Sequence, residues 1–450
     1  MAPPSFGSNA ATSPTQSFAR AITRVKAILS ERSDSRLAQL VAGKVFLVRV
    51  ANAMLALVSQ VLLARWMGSF EFGIFIYAWT WVLMIGALSD MGLSSAARRF
   101  VPEYTESKAF DKLRGFLSGS RWLAFAIATA IGGAGALGVM LLERLDNFVV
   151  IPLYLACVMI PIYGLVQVQA GIAQSYDWPN LAFLPFYIIR TSAIIILMGI
   201  AWLAGAPTDA PTAMYISIIT IYGVTIGQLY VLDRRLKKKV PAGPKTYEPK
   251  IWLATSLPIF AVEGLYLLLT YVDILALEHF RSPDEVAVYY AAARLLAIVA
   301  FVYFAIAGAT THKFTQYHVS GDRERLASFF RETIKWTFWP SLAICVAILV
   351  CGKPLLRLFG AGFDAGYDVM FILAIGMLAR AAVGPAERLL IMLGDRKQCM
   401  AIYALAFVVN LALCFVLIPR LGIEGAAASI STALVIESIW LYFVVRRRLA

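Results

Sequence analysis

The sequence predicts an all-α integral membrane protein of about 12 transmembrane helices, arranged as two repeats of six with both ends in the cytoplasm. Three observations carry this prediction. The 450 residues are 60% hydrophobic and only 15% charged, whereas a soluble domain is about half apolar and a quarter charged. Apolar runs long enough to cross a bilayer recur along the chain. Lysine and arginine are concentrated in alternate loops.

A membrane-crossing helix needs about 20 predominantly apolar residues. The runs that meet this requirement are 40–63, 72–92, 121–142, 149–171, 182–204, 212–232, 251–277, 286–309, 336–352, 367–392, 399–418 and 424–445. The ninth run is the shortest, and its ends are the least well defined. The loops between the runs are short, so neither side has room for a soluble catalytic domain. The two longest, 94–120 and 311–335, are charged, and we expect them to form amphipathic helices on the cytoplasmic surface.

Composition divides the chain into five segments. Residues 1–38 are rich in Ala, Ser, Pro and Thr and lack an apolar core with a cleavage site, so we expect a disordered cytoplasmic tail rather than a signal peptide. Residues 39–232 form the predicted first six-helix bundle, and 251–445 form the second. A basic cytoplasmic linker, 233–250, joins the bundles, and a basic cytoplasmic tail, 446–450, follows the last helix.

The distribution of positive charge sets the predicted orientation. The loops on one side, together with both termini, carry roughly 28 lysines and arginines, against roughly 6 on the other side. Because the more basic side faces the cytoplasm, both termini are expected there. Membrane topology therefore explains the net charge of +13, which does not indicate nucleic-acid binding. The basic cluster from Arg234 to Lys239 is also placed to contact anionic lipid headgroups.

A weak internal repeat supports the division into two halves. When the first half is shifted by about 214 residues, similar residues fall into register over a block of about 80 residues. The matched pairs include Glu71 with Glu285, Phe75 with Tyr289, Phe100 with Phe314, Phe116 with Phe330 and Gly138 with Gly352. Because each half has an even number of spans, both repeats share one orientation, and a binding site is expected between them near the middle of the membrane.

Charged residues inside the predicted spans are the candidate functional groups, because a charge at the bilayer centre costs roughly 2.5–3.5 kcal/mol. They are Lys44, Arg49, Arg190, Glu263, Asp273, Arg294, Arg380, Glu387 and Glu437. Spans 1 and 7 each carry a polar stripe, which includes Asn52 and Gln60 on span 1. Lipid cannot face such a stripe, so we expect both spans to line a central cavity, with Arg49 and Glu263 paired in one state. The alternative is that each forms a static ion pair with another helix.

The remaining charged groups are less specific. On span 10, Arg380 and Glu387 lie on one helix face, which fits either a cavity lining or packing within the bundle. Arg294 is the better cavity candidate because its helix directly follows span 7. The sequence suggests no partner for Arg190 or Glu437. We expect each of them to form an ion pair that has a structural role.

Other chemistries have no support in the sequence. The five cysteines show no paired spacing and the three histidines are scattered, so neither a disulfide, a metal site nor a catalytic triad is indicated. The GxGxxG pattern at 133–138 lies within an apolar span and lacks the strand and the ribose-binding acid of a dinucleotide site. No Walker motif is present. We therefore expect no cofactor and no catalytic residue.

Three segments resemble the polysaccharide-transporter branch of the multidrug/oligosaccharidyl-lipid/polysaccharide (MOP) exporter superfamily. Residues 62–100 contain an Ala-Arg-x-x-Gly turn, an acidic-aromatic-Gly start of span 2 and an Asp-x-Gly near its end. Residues 272–294 contain an aspartate of span 7 followed by a Glu-Val-x-x-Tyr start of span 8, and 417–429 contain a Pro-x-x-Gly-x-x-Gly-Ala turn. Ala287 departs from the family, which usually has glycine there. The resemblance covers nearly everything after residue 38.

The resemblance implies a MATE-like fold and a flippase of undecaprenyl-pyrophosphate-linked oligosaccharide units for O-antigen or exopolysaccharide, acting by alternating access in the bacterial inner membrane. The groups that would bind the anionic pyrophosphate are Lys44, Arg49, Arg294 and Arg380. Those that would contact the sugar are Asn52, Gln60, Tyr266 and Tyr289. Those that would bind a coupling proton or sodium ion are Glu263 and Asp273. The polymerase and glycosyltransferases of the pathway would be protein partners.

Three other functions remain open at this point. A drug or cation antiporter of the related branch would favour an aromatic, acidic cavity. A membrane-embedded polysaccharide polymerase or ligase would need a large periplasmic loop, and the loop 353–366 is short. The lipid II flippase branch usually has two further helices, which the sequence does not show.

Overall fold

The computed structural model describes the backbone of residues 14–141 and 146–449, and the side chains of residues 51–141, 146–310, 312–395 and 397–449. The chain divides into two compact units, Met1–Arg49 and Val50–Ala450. Every regular element among the described residues is helical. The helices of the second unit hold all the side chains discussed below.

The first half contains α1 (Pro14–Leu88), α2 (Leu93–Glu106), α3 (Phe110–Leu141), α4 (Asn147–Ser175), α5 (Pro179–Phe183), a π-helical turn (Leu184–Ile189), α6 (Arg190–Leu203) and α7 (Ala210–Lys239). The second half contains α8 (Pro249–Phe280), α9 (Pro283–Leu296), a 3-10 turn (Ala297–Val299), α10 (Ala300–Val319), α11 (Arg323–Val350), α12 (Gly352–Arg357), a 3-10 turn (Phe363–Gly366), α13 (Tyr367–Ala382), α14 (Ala386–Met392), α15 (Arg396–Leu421) and α16 (Ile423–Leu449).

Eleven segments of the described chain are long and apolar enough to cross a membrane. The first, Ala51–Glu106, has 56 residues, which would make about 84 Å of straight helix, nearly three times the thickness of the hydrocarbon layer. Gly68 interrupts it with φ 79° and ψ 167°, a conformation that glycine adopts far more readily than other residues. The segment therefore supplies two crossings, and the predicted all-α membrane fold of about 12 spans is confirmed.

Two details differ from the prediction. The helix α1 begins at Pro14, so the backbone of residues 14–38 is helical where a disordered tail was expected. This stretch contains many Ala and Arg residues, which are strong helix formers. The second predicted surface helix, 311–335, is not a separate element, because α10 runs to Val319 and α11 begins at Arg323. Its residues extend two spans beyond the hydrocarbon layer, where charged side chains meet water.

Two pairs of corresponding helices in the two halves begin at the same separation. The starts of α3 and α11 are Phe110 and Arg323, and those of α7 and α16 are Ala210 and Ile423, so both pairs stand 213 residues apart. For these two pairs the offset differs by one residue from the value of about 214 that the sequence comparison uses.

The buried apolar residues of the described chain form three clusters. The largest contains residues of both halves, including Phe72 of α1 and Tyr289 of α9. A second cluster joins Phe116 of the first half to Trp252 at the start of α8, and a third lies around Phe330 within the second half. The first cluster reaches the helix ends near Gly68, here called the Gly68 end. The other two lie at the opposite helix ends, near residues 240–248, here called the linker end.

Residues 240–248 follow the beginning of α3. The Arg114 guanidinium donates hydrogen bonds to the carbonyl oxygens of Pro244, at 2.7 Å, and Pro241, at 3.0 Å. The Thr246 amide donates to the carbonyl oxygen of Asp111 at 3.0 Å. Gly115 permits this approach, since a Cβ atom there would lie 1.7 Å from the Thr246 carbonyl oxygen. The linker between the halves is therefore fixed to the first half.

Replacing Gly115 by alanine is expected to lower the melting temperature of the detergent-solubilised protein, because the new methyl group would collide with the linker backbone. Overpacking of this kind costs about 1–3 kcal/mol. Gly133→Ala, in the same helix, is the matched control, since nothing lies within 4 Å of its Cβ position and alanine favours a helix by roughly 0.5–1 kcal/mol. Thermal unfolding monitored by fluorescence compares the two variants. Equal melting temperatures would contradict the close approach at Gly115.

Candidate functional site

The second half contains a cavity of about 200 Å³. Its polar lining residues are Tyr266, Thr270, Tyr271, Asp273, Tyr289, Tyr290, Arg294, Tyr303, Ser341 and Arg380. Tyrosines dominate this set, so the cavity presents aromatic faces and hydroxyl groups around a few charged groups. It brings together three of the predicted site residues, Asp273, Arg294 and Arg380.

Asp273 of α8 is buried at the cavity wall. The Tyr289 hydroxyl donates a hydrogen bond to its Oδ2 atom, while Oδ1 is buried and has no hydrogen-bond partner among the described residues. Only Arg281 and Ser282 separate α8 from α9, so the two helices pack side by side and bring this pair together. A buried oxygen without a donor is unfavourable, and Oδ1 is therefore a ready acceptor for a proton or a small cation.

Arg294 of α9 is exposed and lines the same cavity. It forms no ion pair with any residue whose side chain the structure describes. The tyrosines Tyr271 and Tyr290 lie within electrostatic range of its guanidinium. A guanidinium offers five N–H donors in a planar fork that matches carboxylate and phosphate oxygens. Arg294 is therefore well placed to bind an anion that enters the cavity.

Two carboxylates balance the charge of Arg380. Its Nη2 atom lies 3.7 Å from Oε1 of Glu437 and 3.9 Å from Oε2 of Glu387, distances of ion pairs rather than hydrogen bonds. Its guanidinium also packs on the rings of Tyr266 and Tyr303, at 5.1 and 5.6 Å from the ring centres. The side chain of Glu437 is 0% exposed, and Arg380 is the partner that the sequence did not suggest for it. Arg380 lines the cavity as part of this cluster rather than as a free cation.

Glu263 is not among the residues that line the cavity. Its carboxylate accepts a hydrogen bond from Ser95 Oγ at 3.2 Å, and Ser95 in turn accepts one from Arg98 Nη2 at 2.7 Å. Ser95 and Arg98 belong to α2 of the first half, so Glu263 links α8 to the first half. About 15 Å of helix separates Glu263 from Asp273, and the structure does not bring the two predicted coupling residues together.

The structure describes the side chains of only some of the site residues predicted on span 1. Lys44 and Arg49 lie outside the residues whose side chains are described, so their placement, including the pairing of Arg49, remains a prediction. Asn52 is half-buried on α1. Gln60 Nε2 donates a hydrogen bond to the Tyr290 hydroxyl at 2.8 Å. Because Tyr290 lines the cavity, this bond connects the first half to the candidate site.

Sequence reasoning missed several tyrosines of the cavity. One signal was available, since Tyr290 and Arg294 stand four residues apart and therefore share a face of α9. Tyr303 gives no such signal, because its place beside Arg380 depends on how α10 packs on α13. Its hydroxyl donates a hydrogen bond to Glu387 at 3.1 Å.

The charge of the site is mixed rather than strongly basic. Two arginines, Arg294 and Arg380, stand beside three carboxylates, those of Asp273, Glu387 and Glu437. Across the described part of the chain, no group of three or more His, Cys, Asp or Glu residues is arranged to hold a metal ion. The arrangement can bind and orient a ligand that carries both charged and hydroxyl groups.

Comparison with known families identifies the architecture. Residues 42–312, more than half of the chain, match the family model described as polysaccharide biosynthesis protein. The chain belongs to this family. Residues 258–416 also match the MatE family model.

Known relatives agree with this assignment. The uncharacterized transporter YisQ of Bacillus subtilis (strain 168) is 27% identical over 201 residues, which cover 43% of this chain and 44% of that protein. An inward-facing multidrug resistance MATE family transporter of the MOP superfamily matches with a TM-score of 0.73 and 16% identity, over 90% of this chain and 98% of that one. The lipid II flippase MurJ, in an inward closed conformation, matches with a TM-score of 0.68 and 18% identity, over 89% and 87%.

These comparisons confirm the predicted superfamily. At such low identities the solved structures establish the fold alone, and the match to YisQ spans less than half of that protein's length. Together with the family match, they identify a multi-pass membrane protein with the fold of MOP-superfamily transporters.

Breaking the cluster around Arg380 is expected to destabilise the protein, because one buried charge would then lack a partner. Removing one member of a buried pair typically costs about 3–5 kcal/mol. In a double-mutant cycle of Arg380→Gln and Glu437→Gln, the double variant should therefore be more stable than the sum of the single effects predicts. Melting temperatures in detergent supply the measurement.

The exposed pair Arg99 and Glu103, with side chains 64% and 52% exposed, is the matched control. The same glutamine cycle there should show a coupling close to zero, since exposed pairs contribute about 0–1 kcal/mol. Equal coupling in both cycles would show that Arg380 and Glu437 do not interact as the geometry indicates.

Proposed function

We propose that this transporter flips undecaprenyl-pyrophosphate-linked oligosaccharide units from the cytoplasmic to the outer leaflet of the bacterial inner membrane. The observation that carries the proposal is Arg294, a cation in a tyrosine-lined cavity with no ion pair among the described residues. A charge within a span is costly and marks a functional group, and a guanidinium binds pyrophosphate oxygens through two parallel hydrogen bonds. The family match supports a cargo of polysaccharide synthesis, and the lipid II flippase among the structural neighbours supports a lipid cargo.

The other parts of the cargo have binding groups in the same region. Tyr266, Tyr271 and Tyr303 offer ring faces and hydroxyls to a sugar, and the lipid tail can stay in the bilayer. The cavity of about 200 Å³ is smaller than the roughly 300–1,000 Å³ of typical ligand sites. Cargo entry therefore requires the cavity to widen, which the movement of the halves in alternating access would provide. The polymerase and glycosyltransferases of the pathway would supply and consume the cargo.

A contact between the halves at the Gly68 end acts in this proposal as the outer gate. The Ser69 hydroxyl donates a hydrogen bond to Asp284, and Arg65 Nε donates one to the Leu358 carbonyl oxygen at 2.6 Å. Gly73 approaches Pro283 so closely that a Cβ atom would lie 1.9 Å from its carbonyl oxygen. If the basic linker end faces the cytoplasm, as the positive-inside rule predicts, the Gly68 end faces outward and must open to release cargo.

The coupling ion is assigned in this proposal to Asp273 rather than to Glu263. Asp273 lines the cavity and keeps one oxygen without a donor among the described residues. Glu263 is already bonded to Ser95 and connects two helices. A proton or sodium ion at Asp273 would therefore lie in the same cavity as the cargo.

Loss of Arg294 is expected to abolish polysaccharide export. In a host that lacks the gene, surface polysaccharide should disappear and lipid-linked units should accumulate. Re-expression of Arg294→Gln should restore less than about a tenth of the polysaccharide, because a charge-assisted pair is lost. Arg294→Lys should restore an intermediate amount, since lysine keeps the charge but not the planar fork.

The exposed Arg99→Gln variant is the control and should restore export fully at equal protein abundance. Immunoblots of the polysaccharide and thin-layer analysis of the lipid fraction supply both readouts. If deletion leaves the surface polysaccharide intact and no lipid-linked unit accumulates, the proposed function fails.

Locking the outer gate is expected to stop transport. A Ser69→Cys/Asp284→Cys pair, made in a background without the five native cysteines, should lose export under oxidising conditions and regain it with a reductant. Each single cysteine variant is the control and should export in both conditions. Full export by the cross-linked pair, with the disulfide verified by mass spectrometry, would show that the Gly68 end does not open.

A second function has support from the charge balance of the site. The cavity is rich in tyrosine, Asp273 lines it, and the charge of Arg380 at its wall is balanced by two carboxylates. These features also suit an organic cation, which aromatic faces attract. Inverted membrane vesicles containing the protein would then accumulate a fluorescent organic cation, and Asp273→Asn would abolish this uptake. That result, together with normal surface polysaccharide in the deletion strain, would favour antiport over flipping.

A further inference from the structure

Arg190 is a second arginine within a span that has no carboxylate partner among the described side chains. It begins α6, directly after the π-helical turn Leu184–Ile189, and lies in the interior of the candidate span Pro179–Leu203. It forms no ion pair with a described residue. Arg380, in contrast, has two carboxylate partners. The π-turn is the second unusual feature, because single π-helical turns within helices are frequent at functional sites.

Aromatic rings contact the guanidinium of Arg190, but two of its N–H donors have no hydrogen-bond acceptor among the described residues. Its guanidinium carbon lies 4.0 Å from the ring centre of Phe186 and 5.0 Å from that of Trp79. Its Nε and Nη1 atoms are buried and have no hydrogen-bond partner among the described residues. The two rings attract the cation, but they do not replace the hydrogen bonds that water would give the donors. An apolar side chain would fill this space without that cost.

The position of Arg190 relative to the cavity follows from one neighbouring tyrosine. Tyr187, one turn before it in the same segment, is exposed and lies within electrostatic range of Arg190. The same tyrosine lies within electrostatic range of Tyr271 in the second half. Tyr271 lines the cavity and interacts with Arg294. Tyr187 and Tyr271 therefore connect Arg190 of the first half to Arg294 of the second.

We propose that Arg190 is the first-half contact for the anionic head group of the cargo, acting together with Arg294 of the second half. This inference rests on the proposed function and adds a residue to its site. In the absence of cargo the two aromatic rings hold the guanidinium, and a pyrophosphate between the halves supplies the acceptors that Nε and Nη1 lack. A ligand held by one arginine from each half binds best when the halves are close around it, so its binding favours that arrangement.

Binding of defined lipids to the purified full-length protein tests this role. The probes are undecaprenyl pyrophosphate, undecaprenol and inorganic pyrophosphate, with dissociation constants measured in detergent. The wild-type protein should bind the pyrophosphate lipid at least tenfold more tightly than either of the other two. Arg190→Gln should lose at least tenfold of this affinity, while its weak binding of undecaprenol stays unchanged.

Two further variants separate a ligand contact from a structural role. Arg190→Lys keeps the charge and should bind the pyrophosphate lipid with intermediate affinity. Arg121→Gln removes an arginine paired with Asp233 at 2.6 Å, away from the cavity, and should bind as the wild-type protein does.

The outcomes distinguish the two proposals. If Arg190→Gln has a lower melting temperature but the wild-type affinity for the pyrophosphate lipid, Arg190 is structural and the inference is overturned. If neither Arg190 variant folds, the inference is also overturned, since a cargo contact is not needed for folding without cargo. If inorganic pyrophosphate binds as tightly as the lipid, the occupant is a soluble anion and the lipid assignment is wrong. If the wild-type protein does not prefer the pyrophosphate lipid over undecaprenol, the proposed function itself fails.

Discussion

A polar group inside the hydrocarbon layer needs a partner, and this constraint governs the arrangement of the described chain. The backbone meets it by forming helices. Hydroxyl side chains meet it locally, as when Thr80 donates to the Ile76 carbonyl oxygen at 2.7 Å and Thr337 to that of Thr333 at 2.8 Å. Arg380 meets it with two carboxylates on other turns and helices. The groups that do not meet it stand out, and Asp273 and Arg294 among them share one cavity.

The hairpin of α8 and α9 connects this cavity to the Gly68 end. Asp273 lies on α8 and Arg294 on α9, and the same hairpin presents Asp284 to Ser69 of the first half. Arg281, at the turn, donates hydrogen bonds to the carbonyl oxygens of Ile418 and Pro419 at 3.1–3.3 Å, which fixes the turn to α15. A displacement of the hairpin relative to α1 therefore changes the contact at the Gly68 end and the cavity wall together.

The sequence predicted those features that depend on local periodicity and run length. The spans follow from apolar runs, and Asp273 and Arg294 follow from charges placed within them. The pair of Arg380 and Glu437 could not be predicted, because it depends on how α13 packs against α16. The sequence of neither helix indicates that the other is its packing partner. The contact of Glu263 could not be predicted for the same reason. A polar helix face is expected both for a residue that lines a cavity and for one that is hydrogen-bonded to Ser95 of α2. The full lengths of α10 and α11 were not predicted. Charged residues beyond the hydrocarbon layer are compatible both with the extension of a span and with a separate surface helix.

The mixed charge of the cavity has a consequence for coupling. A cation bound at Asp273 and an anion bound at Arg294 attract each other through a region of low dielectric constant, where such interactions are stronger than in water. Each ligand then raises the affinity for the other by the same factor, since coupling between two binding sites is reciprocal. The charge of Arg380 is already balanced by Glu387 and Glu437, so the proposed coupling assigns this cluster no ligand. Under the proposed function, Asp273 would bind the coupling ion and Arg294 the anionic cargo, and these two groups would be sufficient to link the entry of the ion to the binding of the cargo.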